Sequence, residues 1–369
     1  MRENALGGTP VAAMRRTAHE LPQYLRVADS NAAVSATILE VAASHSFSRL
    51  MYLFGSAGRG LVGGDLLIDT ASTCHVVADH ASAASVEEAI RIARAATDDG
   101  VDVIVGCGGG RVLDVAKYAA FHANKPFLSV PTQATHDGIC SPVAVLQNEN
   151  GFTRSVGAAP PVGIVVPVHV VERSPRECLV SGIADLASNI LAVADWRWAR
   201  QFAGEEFDDY AALLAETGAQ LMLARRGSLH PGSPFTREEV ELLVRGLVLS
   251  GLAMILAGTS RPCSGSEHLL SHAFDEIGAG HGTHGEQVAL GCRLASLFYD
   301  DNSEIAAVGE LLDAVGAPAS PRDIGISKDD ASRALQLAPN VRPGRLTRLT
   351  RALELDPAYV EHLADLVWW

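Results

Sequence analysis

The chain has 369 residues, 48% of them apolar and only 20% charged, enough to bury two cores of ordinary domain size. Its formal net charge of -14 argues against nucleic acid as a partner, because phosphate backbones are bound by positive surfaces. Six cysteines at 74, 107, 140, 178, 263 and 292 form no CxxC pair and read as reduced thiols of a cytoplasmic protein. Residues 1–20 show no periodicity and are expected to form a loose arm. Arg15 and Arg16 precede no apolar core, so no signal peptide is expected. From Arg49, short apolar runs alternate with helical patterns: RLMYLFGS, TCHVVAD, VDVIVGC and PFLSVPT read as strands, and VGIVVPVHVV as one more. SVEEAIRIARAATDDG between the second and third reads as an amphipathic helix with Ser85 as N-cap, ending at Gly100. This alternation predicts an α/β domain over residues 21–172, with a parallel, Rossmann-like sheet covered by helices.

Beyond about Ser174 the pattern changes to successive helices, from CLVSGIADLASNILAVADWRWARQF to SEIAAVGELLDAVG. Residues 173–369 are therefore expected to form an all-α domain of eight or more helices. The boundary falls between Pro167 and Pro175, and a cleft between the domains is the expected site. The longest uncharged run, Gly246 to Ser260, is short and broken by glycine, so a buried helix is expected rather than membrane insertion. Uncharged helices of this kind also suggest self-association into a homodimer or higher homo-oligomer.

The chemistry concentrates in three places. In SGSEHLLSH, His268 and His272 are four apart and project from one helix face. His284, in HGEQ, can reach the same cavity across one turn, and Asp185 in GIADLASN supplies a hard carboxylate. One Asp with two of these His suits a catalytic divalent ion with an open position; the remaining His can work on substrate. In GCGGGRVLDVAK, Gly108, Gly109 and Gly110 follow a strand and open a helix, so backbone N–H groups can approach a pyrophosphate. The run is neither GxGxxG nor a Walker loop, and an ordinary tight turn is the competing reading. Asp114 reads either as a contact to the nicotinamide ribose or carboxamide, or as an exposed acid near a helix start. PTQATHDGICSP follows a strand, where ligands bind in parallel sheets; Thr132 and Ser141 offer hydroxyls and Asp137 a carboxylate for a substrate hydroxyl.

Taken together, GCGGGRVLDVAK, SVPTQATHDGICSP, GIADLASNILAVADW, SGSEHLLSH and HGEQVALG resemble the sn-glycerol-1-phosphate dehydrogenases. These belong with the iron-containing alcohol dehydrogenases, glycerol dehydrogenases and dehydroquinate synthases, and the likeness covers about Arg49 to Asp300. The resemblance implies a dehydroquinate-synthase-like fold and an enzyme using NAD or NADP with a divalent metal, zinc first and nickel or iron as alternatives. By motif position, Asp185, His268 and His284 would hold the metal, while His272 and Asp137, and Asp185 as well, would contact substrate. Gly108 and Gly109, then Gly110, Arg111, Val112, Leu113 and Asp114, with Thr132, Gln133, Ala134, Thr135 and Ser141, would line the cofactor. The implied substrate is small: dihydroxyacetone phosphate and sn-glycerol 1-phosphate, or a related phosphorylated or polyol compound. A polyol dehydrogenase on an uncharged substrate and a dehydroquinate-synthase-like cyclase are the alternatives. Arg111 departs from the Lys usual after the glycines, and no acidic residue follows VGIVVPVHVV.

Several neighbours read two ways. His281 competes with His284. Glu286 is either an orienting acid or an early-turn helix residue. Asn189, four after Asp185, could fix that carboxylate; His136 is expected to face solvent, Cys107 to fill core, and Trp196 and Trp198 to be structural. In FGSAGRG, Ser56 and Arg59 permit a 2′-phosphate and incline the reading toward NADPH.

Overall fold

The computed structural model describes residues 21–369 except 56–59, 61–63, 72–73, 150–152 and 300–301. The expected arm over residues 1–20 and the Ser56 and Arg59 positions lie outside the described residues. The chain divides into two compact units. One runs to Ser174 without Thr135–Asp137; the other comprises Pro175–Trp369 together with Thr135–Asp137.

The first unit runs β1 (Tyr24–Ala28), α1 (Asn31–Ser44), β2 (Arg49–Phe54), α2 (Gly64–Ala71), β3 (His75–His80) and α3 (Val86–Asp98). It continues with β4 (Val103–Gly108), α4 (Gly110–Ala123), β5 (Phe127–Pro131), β6 (Val143–Gln147), β7 (Thr153–Gly157), β8 (Gly163–Pro167) and α5 (Val168–Val171). Six strands form a parallel sheet in the order β1-β8-β5-β4-β2-β3, and β6 pairs with β7 as a separate antiparallel hairpin. β4, β5 and β8 are buried at every residue, the mark of strands covered on both faces, which is why they read as continuous apolar runs. Ser85 caps α3 by accepting from the Glu88 N–H. One predicted element needs correction. VGIVVPVHVV is not a single strand: β8 stops at Pro167 and Val168–Val171 turn into a helix. An unbroken apolar run carries no period, so strand and buried helix cannot be separated within it. β1, α1 and the β6–β7 hairpin lie outside the elements read from sequence.

The second unit is helical: α6 (Arg176–Ala203), α7 (Asp209–Leu223), α8 (Arg237–Ala257), α9 (Ser266–Glu276) and α10 (His284–Ala295). α11 (Ser303–Val315), α12 (Lys328–Val341), α13 (Arg348–Leu355) and α14 (Pro357–Trp368) follow. Two of these, α6 and α8, are long and apolar enough to cross a membrane by length and composition, which the run from Gly246 to Ser260 alone did not suggest. The apolar stretch of α6 is 89% buried within the fold, and Asp185, Asn189 and Asp195 lie along it, so it behaves as a core helix; that of α8 is 56% buried. Glycines let the helices approach closely. A Cβ at Gly285 would lie 1.9 Å from the Ser181 carbonyl oxygen, so the start of α10 sits directly against α6. That contact brings His284 toward Asp185.

Candidate functional site

In the second unit, Asp185 on α6, His268 on α9 and His284 at the first position of α10 converge. His268 Nε2 lies 3.4 Å and His284 Nε2 3.6 Å from the same oxygen, Asp185 Oδ1. One ligand atom from each lies within 4.8 Å of the others. A tetrahedral ion with metal–ligand bonds near 2.1 Å separates its ligands by about 3.4 Å, so the two distances to Asp185 match such a site.

The other atom of each group is already engaged. Asp185 Oδ2 accepts the Asp137 backbone N–H at 2.9 Å. His268 Nδ1 donates to Glu267 Oε1 at 2.9 Å, so Nε2 is the nitrogen turned to Asp185, where a proton or an ion can sit. Ser271 donates its hydroxyl to Gln287 Oε1 at 2.8 Å, so His284 Nδ1, 3.1 Å from Ser271 Oγ, is the donor there and Nε2 is left for an ion. A carboxylate or hydroxyl behind each imidazole is the support that metal-ligating histidines need. Asp195 anchors the entry to α9: Oδ2 accepts from the backbone and hydroxyl of Ser266 at 2.7 and 2.6 Å, and Oδ1 from the Tyr299 hydroxyl at 2.7 Å.

Electrostatics follow from burial and these partners. Burial resists a charge on Asp185, but His268 and His284 hold its pKa below the ordinary carboxylate value. Burial likewise resists a charge on His268, yet Asp185 and Glu267 raise its pKa to about 9. His284 is pushed down to about 3 by burial and then by the charge of His268. His272 falls well below its usual range, by burial first and then by the Arg342 charge. Arg342 donates to His272 Nε2 at 3.0 Å, and an arginine can only donate, so His272 carries its proton on Nδ1. Its ring lies 6.2 Å from that of His268 and 6.0 Å from that of His284. Asp137 is held beside the cluster by Ser250, whose hydroxyl donates to Oδ2 at 2.9 Å.

Asn189 does not fix Asp185; its amide donates to the Ala215 carbonyl and to Ser250, so it supports Asp137 indirectly. Glu286 caps α10 in a capping box with Thr283. His136 is half-buried rather than solvent-facing, with its ring 6.0 Å from His284. His281 is tied by its backbone to Ile324 and is not part of the three-residue cluster. Cys107 is buried, and Trp196 donates to the Glu206 carbonyl in a structural role. Thr135, on the same segment as Asp137, accepts at its carbonyl from Ser181.

The glycine turn belongs to the first unit. Gly108 ends β4 and Gly109 is the N-cap of α4, with no side chain capping the helix. Thr132 N–H donates to the Gly108 carbonyl at 2.9 Å, so the two loops adjoin. A Cβ on Gly108 would lie 2.7 Å from Val112 Cβ, so a side chain there would force α4 away from the strand end; at Gly109 a Cβ would meet only the mobile tip of Gln133, at 2.3 Å from Oε1. Gly110 and Arg111 open the helix, Arg111 exposed, whereas Leu113, Thr132, Ala134 and Ser141 are buried. Asp114 is buried too, not an exposed acid: Oδ1 pairs with Lys117 Nζ at 3.2 Å and Oδ2 accepts from the Val145 N–H at 3.1 Å. Sequence reading missed Lys117. Its fully buried ammonium also donates to the carbonyls of Gly138, Ser141 and Val143, pinning the loop that follows Asp137.

A family model described as iron-containing alcohol dehydrogenase matches residues 31–175. The fold is that of this class: the crystal structure of a probable glycerol dehydrogenase from Sinorhizobium meliloti 1021 superposes with a TM-score of 0.73. The match covers 94% of this chain and 96% of that one at 21% identity. Two sequence relatives are nearer. A glycerol-1-phosphate dehydrogenase, NAD(P)+, from Archaeoglobus fulgidus is 39% identical over 72% of this chain and 76% of its own length. The enzyme of the same name from Cenarchaeum symbiosum is 41% identical over 74% and 73% respectively. The chain belongs to the glycerol-1-phosphate dehydrogenase family.

Proposed function

We propose that this chain is a metal-dependent NAD(P)H oxidoreductase that interconverts dihydroxyacetone phosphate and sn-glycerol 1-phosphate. The observation that carries the reading is the convergence of Asp185 Oδ1, His268 Nε2 and His284 Nε2 at tetrahedral spacing, each with its opposite atom engaged. The names of the curated relatives support the substrate and the NAD(P) cofactor. Asp185, His268 and His284 would hold a divalent ion, zinc first among the candidates, which would supply Lewis-acid polarisation of the substrate oxygen, while the bound nicotinamide would supply the hydride.

The residues do the rest. Asp137, oriented by Ser250, accepts a substrate hydroxyl. His272 is neutral, a donor at Nδ1 and an acceptor at Nε2, and relays the proton of the alcohol. Gly108 to Asp114 and Thr132 to Thr135, with Ser141, are the cofactor-binding set, in which the uncapped start of α4 receives the pyrophosphate and Asp114, engaged by Lys117 and Val145, supports the turn from behind. Leu113 is buried with its N–H bonded to the Gly109 carbonyl at 3.2 Å, so it serves by holding the turn. All six cysteines are unpaired, which supports a cytoplasmic setting, and exposed Tyr210 and Leu213 on α7 support self-association.

The test is a ketone screen at 340 nm with NADH and NADPH after metal quantification. Reduction of dihydroxyacetone phosphate in preference to uncharged dihydroxyacetone is expected. His268→Ala should lose ion and activity together, whereas His272→Ala should keep the ion and lose rate. Equal ion loss in both variants would overturn the division of roles. Turnover without net oxidation of cofactor would favour the cyclase instead.

A further inference from the structure

The segment joining α12 to α13 reads RPGR, Arg342 to Arg345. Gly344 has φ 85° and Arg345 N–H donates to the Arg342 carbonyl at 3.1 Å. Proline at the second position and a left-handed glycine at the third make this a type II turn, which brings its first and fourth residues together. The two guanidinium groups then converge on one hydroxyl: Arg342 Nη1 and Arg345 Nη2 lie 2.9 and 3.0 Å from Ser260 Oγ. Arg345 also donates to the Ser264 carbonyl, so among the described residues two hydrogen bonds hold a side chain with five N–H donors. A third guanidinium is close by. Arg261 is 4% exposed, and its Nη2 is bound to Glu205 and the Leu346 carbonyl. Its Nε and Nη1 have no partner among the described residues.

Glu205 offsets one of these charges, but three guanidinium groups crowded in this way still repel one another, and a further anion would relieve that cost. Burial, then the charges of Arg342 and Arg261, push the Arg345 pKa far below its ordinary value, and burial brings Arg342 down to about 10. Arginine's planar fork matches phosphate oxygens two at a time. The location fits a short substrate, because Arg342 touches His272, whose ring neighbours those of both His268 and His284. In dihydroxyacetone phosphate only three covalent bonds separate the carbonyl carbon from phosphorus.

We propose that Arg342 and Arg345, with Ser260 between them, form the subsite that receives the substrate's phosphate and make the enzyme specific for a phosphorylated ketone. The inference rests on the phosphorylated-substrate reading above and names the side chains that impose it. On binding, phosphate oxygens replace Ser260 as the acceptor for the two forks, and Arg342 exchanges its bond to His272 for one to the ligand. His272 Nε2 is thereby released toward substrate.

The test compares the ion-loaded full chain with Arg345→Gln, Arg345→Lys and Arg342→Lys, using dihydroxyacetone phosphate, dihydroxyacetone and inorganic phosphate as probes. Losing charge-assisted hydrogen bonds to phosphate should lower the ratio of kcat/KM for the phosphorylated over the unphosphorylated ketone by about 10- to 100-fold in Arg345→Gln. The loss should fall mainly on KM, and the lysine variants should recover part of it. Inorganic phosphate should compete with dihydroxyacetone phosphate in the parent and do so more weakly in each variant, with ion content unchanged. An unaltered substrate ratio, or unaltered phosphate competition, overturns the subsite even if the parent reduces dihydroxyacetone phosphate well. If the parent rejects that substrate but phosphate still binds in an arginine-dependent way, the assigned reaction fails and the anion site stands.

Discussion

Ion uptake at Asp185, His268 and His284 should release a proton, and His268 sets the pH at which it does. Burial opposes charge on this imidazole, but Asp185 at one nitrogen and Glu267 at the other outweigh it and raise its pKa to about 9. An ion needs the same Nε2 lone pair, so ion and proton compete. Well below pH 9 the apparent association constant should climb about tenfold per pH unit; the slope flattens at the pKa, so between pH 7 and 9 the gain is roughly fiftyfold, or about 2.3 kcal/mol. The sign for stability runs the other way in the ion-free chain. With a folded pKa above the ordinary value of 6.5, the charged imidazole stabilises the fold fully below pH 6.5, and that contribution is lost as pH rises through about 9. The stabilisation conferred by a fixed concentration of free Co²⁺ should therefore grow across that window. His284 and Asp185 release no proton, because both are already deprotonated at neutral pH. Calorimetric titration with Co²⁺ in two buffers of different ionisation enthalpy counts the proton directly: close to one at pH 7, fewer as pH approaches 9. A flat affinity with no proton released would refute the reasoning.

Two further variants probe the supports. Glu267→Gln removes the carboxylate behind His268 and should weaken ion binding by about 10- to 100-fold. It should also move the proton-release window to lower pH, whereas a purely structural defect would leave that window where it is. Lys117→Met strands Asp114 and three carbonyls in the first unit, and should cost about 3–5 kcal/mol in denaturant unfolding. Pairing it with Asp114→Asn should restore part of the loss; no recovery would mean that the ion pair is not the cause.

The alternation of strand and helix, and the change to helices near Ser174, could be read from the chain because the periods of burial are local properties of sequence. So could the candidates for chemistry: two imidazoles four apart on a helix must share a face. Their division of labour could not. His268 and His272 occupy that one face of α9, yet one turns its nitrogen to Asp185 and the other to Arg342, seventy positions downstream. Spacing left open whether Asn189 holds Asp185 or is an ordinary helix residue, and its amide points to Ser250. RPGR announces only a turn, while its two guanidinium groups beside Ser260 depend on how α12 and α13 pack against α9. Periodicity specifies which face of an element is buried. It carries no information about which distant side chain will meet that face, and that meeting sets each group's charge and role.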